Sequence, residues 1–290
     1  MNVQKYEAFL KTAELGSLTK AASALGYTQS GMSHILNSME EEWGVALFVR
    51  DRAGARLTSE GLRLLPHIRG VCEAEHNLAF EVDDLRGLRG GLLRIGAFGS
   101  VALSWLPSIV KKFTLDYPNV DFELVHGEND EIVRWIFEGR VDCGFLTEPH
   151  DEGLGSVPLG NDEFLIVLPE GHPLAVRESI SVDELKDEPF ILPPDGLEND
   201  VTEFFRQSRI VPKVRFIGWD YATILAMVEQ GLAVSMLPAL ALRRAPYRVV
   251  RKRLENPPCR RIAFAVRSME KISSLTKRFI DYLKYRDEGA

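Results

Sequence analysis

Residues 16–61 read GSLTKAASALGYTQSGMSHILNSMEEEWGVALFVRDRAGARLTSEG, and this stretch decides the fold of the amino-terminal region. Ser17 can cap a short helix over residues 19–25, because its hydroxyl can accept a hydrogen bond from a free backbone N–H of the first turn. After a tight turn, Thr28 can cap a longer helix over about residues 29–42. The apolar side chains of the longer helix share one face. The stretch therefore predicts two helices joined by a tight turn.

Two helices in this arrangement are typical of a protein that reads DNA. The second helix can lie in the major groove with its first residues at the base edges. Gln29 can pair with adenine through two hydrogen bonds, and the free N–H groups of the helix start can meet a phosphate. The expected DNA contacts on this helix are Thr28, Gln29, Ser30, Ser33, His34 and Asn37. A three-helix bundle with solvated polar faces is the alternative that the pattern leaves open.

A small hairpin is predicted over residues 46–58, directly after the second helix. Between residues 43 and 69, five arginines outnumber two acidic residues, which gives a local net charge of +3. The arginine fork suits phosphate, and a thin hairpin can also enter the minor groove. The expected DNA contacts of this wing are Arg50, Arg52 and Arg56. The glutamates at positions 40–42 are expected to point away from DNA or to pair with neighbouring arginines.

One long helix is predicted from residue 59 to about residue 88. An apolar seam with a seven-residue repeat runs along it, formed by Leu64, Val71, Leu78 and Leu85, with Ile68 and Val82 between them. This seam suits a coiled coil between two copies of the chain, although a single amphipathic helix packed on its own domain stays open. Glu75 interrupts the seam, and Pro66 is expected to bend the first turns or to delay the helix start. Glycines 87, 90 and 91 mark the best domain boundary.

Composition limits the classes of protein that remain. The chain has 290 residues, of which 45% are apolar, and these figures exclude a disordered or fibrous chain and predict roughly two domains. The net charge of -7 argues against a protein that is basic throughout and coats nucleic acid. The three cysteines, Cys72, Cys143 and Cys259, form no metal or disulfide motif and suit a reducing compartment. No secretion signal or membrane span is found, so we expect a cytoplasmic protein without a membrane partner.

Beyond Gly91 the signals for strands and helices alternate, which predicts parallel sheets with helices on their faces. The predicted strands cover residues 92–96, 120–125, 143–146, 164–168, 190–192, 214–217, 234–237 and 262–266. The predicted helices cover residues 106–113, 131–138, 201–209, 222–229 and 272–285. This part of the chain is therefore an α/β region distinct from the helical amino terminus.

The segment from Phe9 to Gly61 resembles the DNA-binding module of LysR-type transcriptional regulators. The residues that carry the resemblance are Phe9, Ala13, Gly16, Ser17, Ala21, Ala22, Leu25, Gln29, Ser30, Ser33, Ile35, Glu40, Gly44, Leu47, Phe48, Arg50, Leu57, Thr58 and Gly61. Three positions depart from the family. Gly31 stands where proline is frequent, His34 where arginine is frequent, and Trp43 where an aliphatic residue is usual. A DNA contact from His34 would be weaker than one from arginine and sensitive to pH.

The resemblance covers nearly the whole chain and implies the rest of the architecture. It implies a winged helix-turn-helix over residues 1–58, a linker and dimerisation helix over 59–89, and an effector-binding domain over 90–290. The last has the two-lobed α/β fold of periplasmic binding proteins (type 2). The first lobe would span about residues 92–166 and 267–290, and the second about 167–266. PEGHPLA would mark the outward crossing between the lobes, and IAFAVR the return.

In such folds a ligand binds between the lobes, at the carboxyl ends of strands. By resemblance, the residues that line the effector cleft are Phe98, Gly99, Ser100, Val101, Gly127, Glu128, Thr147, Glu148, Pro193, Pro194, Asp195, Trp219 and Asp220. Ser100 is expected to cap the next helix. Plainer roles stay open: Ser100 and Asp220 as helix caps only, Pro193 and Pro194 as a rigid turn, and Trp219 as a core residue.

The charge of the effector stays open at this point. No arginine or lysine falls clearly at the predicted strand ends, so an anion would have to rely on helix N-termini and hydroxyl groups. The acidic residues at these ends would repel an anion if they faced inward. A neutral or amine-bearing ligand is therefore as open as a carboxylate.

The resemblance implies a transcriptional regulator controlled by a small-molecule effector of unknown identity, with no other cofactor. The implied partners are double-stranded DNA with a partly palindromic operator, a second copy through the linker helix, a homotetramer, and RNA polymerase. The alternative is a small-molecule-binding protein or enzyme on the same fold, whose helical amino terminus only serves oligomerisation. Against an enzyme, the chain has no nucleophile elbow, phosphate loop, dinucleotide fingerprint or H-E-x-x-H motif, so no catalytic or metal residue is predicted.

Overall fold

The computed structural model describes residues 3–51, 54–85, 90–148, 153–193, 198–218 and 220–288. Four predicted site residues lie outside these ranges: Arg52, Pro194, Asp195 and Trp219. The amino-terminal elements are α1 (Val3–Leu15), α2 (Leu18–Ala24), α3 (Gln29–Trp43), β1 (Phe48–Asp51), β2 (Gly54–Leu57) and the long helix α4 (Ser59–Leu85). The predicted helix-turn-helix and hairpin are both present.

The two predicted helix caps are confirmed, and they explain where α2 and α3 begin. The hydroxyl of Ser17 accepts from the backbone N–H of Lys20 at 3.4 Å. The hydroxyl of Thr28 accepts from the backbone N–H of Gly31 at 3.1 Å. Helix α3 ends at Gly44, whose φ of 67° is a left-handed conformation that glycine adopts without strain. Caps and glycine therefore fix the ends of the second helix of the pair.

Helix α4 begins at Ser59, so the expected delay caused by Pro66 is wrong. Thr58 fixes the start, because its hydroxyl accepts from Gly61 N–H at 2.9 Å and its carbonyl accepts from Leu62 N–H at 2.9 Å. The first half of α4 also packs on its own domain, where Ile68 is 4% exposed within the amino-terminal core. The stabilisation from packing and capping is therefore larger than the cost of the one backbone hydrogen bond that proline cannot donate.

The carboxy-terminal region contains ten strands and seven helices in the described residues. The strands are β3 (Gly90–Ala97), β4 (Asn119–His126), β5 (Cys143–Glu148), β6 (Gly155–Pro169), β7 (Ser179–Ile180), β8 (Pro189–Leu192), β9 (Lys213–Ile217), β10 (Val234–Pro238), β11 (Val249–Leu254) and β12 (Cys259–Val266). The helices are α5 (Gly99–Ser104), α6 (Leu106–Asp116), α7 (Asn129–Glu138), α8 (Glu198–Gln207), α9 (Tyr221–Glu229), α10 (Ala239–Leu242) and α11 (Ser274–Tyr282). Short 3-10 helices cover Pro173–Val176, Val182–Leu185 and Leu283–Tyr285.

These strands lie in the order β4-β3-β5-β12-β6-β10-β8-β9, and β11 also pairs with β6. Strand β3 runs parallel to both β4 and β5, and β8 runs parallel to β9 and β10. Strand β12 is antiparallel to both of its neighbours, β5 and β6. Helices cover each half of the sheet, and the two halves have separate buried cores. The result is the two-lobed α/β fold that the resemblance implies.

The structure corrects the predicted boundaries of the lobes. The long strand β6 pairs with β12 over residues 155–163 and with β10 over residues 164–167, so the chain crosses between the lobes near Phe164, ahead of PEGHPLA. The return strand β12 pairs only within the first lobe, although residues 259–266 were expected in the second. Apolar runs reveal a strand but not its neighbours, which is why the sequence misplaced both crossings.

No helix in the described part of the chain is long and apolar enough to cross a membrane. Within the same residues, no cluster of histidine, cysteine, aspartate or glutamate is arranged to hold a metal ion.

Candidate functional site

The polar side chains predicted to read DNA lie on the outer surface of α3. Gln29, Ser30, His34 and Asn37 are exposed, and Ser33 is half-buried. The opposite face of the helix is buried in the amino-terminal core through Met32, Leu36 and Met39. Buried and exposed side chains are therefore separated along the whole helix, and its polar residues face solvent.

Thr28 stands at the start of this surface but uses its hydroxyl within the protein. Besides capping α3, the hydroxyl oxygen lies 3.1 Å from the hydroxyl oxygen of Ser30. Thr28 and Ser30 thus form a small polar group beside the exposed N-terminal backbone of the helix, which is the part of a helix that attracts a phosphate.

A salt bridge ties the wing to α3. Arg50 on β1 donates to Glu40 Oε2 at 3.0 Å and to the Ser33 hydroxyl at 3.2 Å. The other carboxylate oxygen of Glu40 accepts from the backbone N–H groups of Leu47 and Phe48, at 2.6 and 3.0 Å. The expected pairing of a glutamate with a neighbouring arginine is confirmed for Glu40. Arg50 is therefore turned toward α3, although it is exposed like Arg56 on β2.

In the effector domain, Ser100 does not cap a helix, and that prediction is wrong. Phe98 occupies the position before α5, and Ser100 is the second residue of the helix. Its side chain is fully buried, and its hydroxyl accepts from Arg260 Nη2 at 2.6 Å. Helix α5 begins two residues earlier than a cap at Ser100 requires, so Ser100 turns toward the junction of the lobes.

Arg260 is the residue of this cleft that sequence reasoning missed. It is 6% exposed, and its guanidinium lies over the rings of Phe98 and Phe164, 4.7 and 5.4 Å from their centroids. The prediction that no arginine lies at the strand ends was wrong because β12 runs antiparallel to β5. The first residues of β12 consequently lie beside the last residues of β5. A paired Arg260-Arg261 directly before an apolar run was the available signal.

Asp162 neutralises Arg260 within the cleft. Its Oδ2 atom accepts from Arg260 Nη2 at 2.7 Å and from Nε at 3.1 Å. Its Oδ1 atom accepts from the backbone N–H of Leu240, at the start of α10, at 3.0 Å. Together with Ser100, this network connects the first lobe, both crossing strands and the second lobe.

The lobes also touch where Gly99 meets Tyr221. A Cβ atom at Gly99 would lie 3.1 Å from the ring of Tyr221 and 3.7 Å from His126 Nε2, so a side chain there would crowd the contact. Tyr221 is 9% exposed, and its hydroxyl has no hydrogen-bond partner among the described residues. Burial raises the pKa of that hydroxyl. The strand end at Gly99 and the start of α9 therefore face each other across the cleft.

Glu128 lies at the edge of the same cleft, at the start of α7. It is half-buried, and burial raises the pKa of its carboxyl group, while the nearby side chains of His126 and Arg260 act in the opposite direction. Its backbone N–H donates to Glu131 Oε2 at 3.2 Å. Glu128 is therefore a carboxylate that is partly removed from water and close enough to Arg260 to be affected by it.

The other described residues predicted for the cleft have structural contacts of their own. Val101 is buried in the core of the first lobe, and Gly127 lies against the ring of Trp135. The backbone N–H of Thr147 donates to Asn129 Oδ1 at 2.8 Å, and Glu148 pairs with Arg261 at 3.3 Å. Pro193 is buried, and Asp220 caps α9 by accepting from Thr223 N–H at 2.7 Å. Asp220 thus caps its helix, as its plainer role requires.

Comparison with known proteins identifies both halves of the chain. Residues 3–62 match the model of bacterial regulatory helix-turn-helix proteins of the lysR family, and residues 86–287 match the LysR substrate binding domain. The chain belongs to the LysR family of transcriptional regulators. Among LysR-family relatives, the HTH-type transcriptional regulator YvbU of Bacillus subtilis is 31% identical over 287 residues, which is 98% of each chain.

Solved structures of LysR-family proteins share the fold. Full-length OxyR from Pseudomonas aeruginosa, in a variant form, superimposes with a TM-score of 0.76 at 21% identity, over 98% of this chain and 95% of that one. Full-length CbnR in complex with its target DNA gives a TM-score of 0.66 at 23% identity, over 98% and 99% of the two chains. The predicted fold class is confirmed, and so is the prediction of a DNA-binding regulator with an effector-binding domain rather than an enzyme.

Proposed function

We propose that this LysR-family regulator binds a partly palindromic operator as a homodimer and changes its DNA complex when a small molecule occupies the cleft between its lobes. The observation that carries the proposal is the exposed polar face of α3, held beside a wing by the Arg50–Glu40 pair. The DNA contacts we propose are Thr28, Gln29, Ser30, Ser33, His34, Asn37, Arg50, Arg52 and Arg56. Because its partner is chromosomal DNA, the protein would act in the cytoplasm.

Pairing through α4 is supported by apolar side chains that the isolated chain leaves in water. Val71, Leu78 and Val82 are 44%, 65% and 36% exposed, and their spacing of seven and four residues puts them on one side of the helix. Such a stripe on a monomer is usually covered by a partner. A second copy of α4 would cover it and place two recognition helices on one face of the DNA.

A second contact, between effector domains, would join two dimers into a tetramer. It is supported by the two ends of the sheet, where β4 and β9 are edge strands. Leu124 on β4 and Val214 and Ile217 on β9 are exposed apolar residues at these edges. A twofold arrangement would set β4 of one copy beside β9 of the next and cover both edges.

The effector would bind between the lobes, near Ser100, Glu128 and Tyr221, without another cofactor. The remaining cleft positions we propose are Phe98, Gly99, Val101, Gly127, Thr147, Glu148, Pro193, Pro194, Asp195, Trp219 and Asp220. A ligand shifts the protein between two arrangements only by binding one of them more tightly. The network of Arg260 and Asp162 would carry the change, since it contacts both lobes. RNA polymerase would be the partner that responds to it.

The test is fluorescence anisotropy with the DNA upstream of the protein's own gene, against a scrambled duplex, at two salt concentrations. We expect tighter binding to the native duplex and a steep loss of affinity with salt, because phosphate contacts release counterions. No binding to either duplex at low salt would contradict the proposal and favour a binding protein or enzyme whose helical amino terminus serves oligomerisation.

A further inference from the structure

The described part of the cleft has more negative than positive side chains. Arg260 is its buried cation, and Asp162 already neutralises it at 2.7 Å. Glu148 is paired with Arg261, but Glu128 and Asp200 form no ion pair among the described residues. Arg260 lowers the pKa of both carboxyl groups, and His126 also acts to lower that of Glu128. An anionic ligand would therefore meet a paired arginine and two carboxyl groups without an ion pair, of which that of Glu128 also accepts from the backbone N–H of Glu131.

The hydroxyl of Tyr221 is a second and independent sign of a ligand. A buried hydroxyl without a hydrogen-bond partner costs free energy, and native proteins rarely leave one. Ser100 lies near enough to affect the pKa of this hydroxyl, but no hydrogen bond of normal geometry joins the two side chains. Glu128 acts on the same hydroxyl from the opposite lobe. The unpartnered oxygen thus lies where the two lobes meet.

A groove beside Arg260 also has acidic but no basic side chains among its described lining residues. It has a volume of about 820 Å³ and borders the cleft at Phe164, whose ring lies under the guanidinium of Arg260. Its lining includes the ring of Phe204 and two carboxylates, of which Glu203 is paired with Arg206 and Asp200 forms no ion pair among the described residues. Among its described lining residues there is no arginine, lysine or histidine. An aromatic ring beside a carboxylate without an ion pair suits an organic cation.

We infer that the effector of this regulator is an organic cation, whose protonated nitrogen donates to the Glu128 carboxylate of the first lobe and to the Tyr221 hydroxyl oxygen of the second. The inference rests on the proposed function, since it assigns the chemistry of the same cleft. A nitrogen bound in this way gives the buried hydroxyl a partner and the half-buried carboxylate a counter-charge. It also connects the two lobes directly, so its binding favours one arrangement of the lobes.

The test compares ligands that share a carbon skeleton and differ in charge. Butylamine, putrescine and agmatine are titrated calorimetrically into the full-length protein, and butanol, butanediol and butyrate are titrated under the same conditions. We expect at least one of the three cations to bind about tenfold or more tightly than the alcohol and the carboxylate, as a charge-assisted hydrogen bond predicts. If no cation binds more tightly than its alcohol, or if butyrate binds best, the inference is wrong.

Two variants locate the binding. Glu128→Gln removes the charge, and Tyr221→Phe removes the hydroxyl while it keeps the ring against Gly99. Each should weaken the cation about tenfold, whereas Glu123→Gln, an exposed carboxylate of the same lobe, should not. Unchanged binding in both cleft variants would overturn the inference. Anisotropy with the upstream DNA tests the proposed function separately from the charge of the effector. If the protein binds this DNA but the cation test fails, only the inference about the effector is wrong.

Discussion

Arg260 and Asp162 face each other at one register position of β12 and β6, and their side chains form a buried ion pair. The relative exposures of the two side chains are 5% and 0%. Because each carboxylate oxygen also has a fixed donor, neither charge can turn toward water. The pair therefore couples the two strands that connect the lobes, at the place where the strands leave one lobe for the other.

Breaking this pair should destabilise the effector domain strongly. Asp162→Asn leaves the guanidinium buried without its counter-charge, so we expect the free energy of unfolding to fall by about 3–5 kcal/mol. Urea denaturation monitored by tryptophan fluorescence measures the loss. Glu148→Gln is the matched control, since it removes a pair with Arg261 one residue along β12, where Arg261 is 67% exposed. That loss should stay below about 1 kcal/mol, and equal losses would contradict a special role for the buried pair.

Gln29 should read a base rather than support the fold. Its side chain is exposed at the start of α3, so Gln29→Ala should leave the unfolding transition unchanged. Discrimination between the upstream duplex and a scrambled duplex should fall by about 1–3 kcal/mol, while binding to scrambled DNA persists. Anisotropy titrations of both duplexes measure this difference. A parallel loss on the two duplexes would assign Gln29 to the phosphate backbone instead.

Glu40 should hold the wing in place. Glu40→Ala removes the acceptor of two backbone N–H groups and of Arg50, so we expect a loss of about 1–3 kcal/mol in stability together with weaker DNA binding. Thermal unfolding and anisotropy are the two measurements. Glu41→Ala is the control, because that neighbouring side chain is exposed. Wild-type DNA affinity in the Glu40 variant would show that the wing needs no such support.

Leu78 should be central to dimer formation. It is 65% exposed on α4, and Leu78→Asp puts a charge into the proposed seam between two linker helices. We expect a shift from dimer or tetramer to lower mass in size-exclusion chromatography with light scattering, and a loss of operator affinity of about tenfold or more. Val176→Asp changes an even more exposed apolar residue of the second lobe and should leave the mass as it is. An unchanged mass in the Leu78 variant would contradict pairing through α4.

Asp200 should lower stability at neutral pH. Burial raises the pKa of its carboxyl group above the ordinary value of 3.8. The folded state therefore binds this proton more tightly than the unfolded state. The contribution of this proton to the free energy of unfolding is fully present below pH 3.8 and is lost as pH rises through the folded-state pKa. Asp200→Asn should raise the melting temperature at pH 7, and the gain should shrink toward pH 4. A gain that is constant from pH 4 to pH 7 would contradict this titration.

The amino-terminal domain could be predicted from sequence because local signals determine it. Ser17 and Thr28 cap their helices with their own hydroxyls, three residues from the N–H groups that they satisfy. The same kind of argument failed at Ser100, where a partner 160 positions away takes the hydroxyl. A cap is a contact within one turn, whereas the environment of Ser100 depends on how distant strands are ordered in the sheet.

The cleft could be predicted only as a set of strand ends. Gly99, Glu128 and Tyr221 come together, and the sequence indicated the first two. Arg260 and Asp162 were missed because they sit on strands that cross between lobes, and an apolar pattern does not show which strands are neighbours. The two halves of α4 have different surroundings, which the sequence did not show for a related reason. Ile68 in the first half is buried in its own domain, whereas Leu78 in the second half is exposed. A seven-residue repeat alone cannot distinguish the two.

The place of β12 between β5 and β6 sets an order on synthesis at the ribosome. Residues 259–266 are made after the whole second lobe, so the sheet of the first lobe cannot close until the chain is nearly finished. The amino-terminal domain has a core of its own and is complete far earlier. A nascent chain therefore acquires its DNA-reading surface and linker helix first, and a chain released before residue 259 would read DNA without sensing a signal.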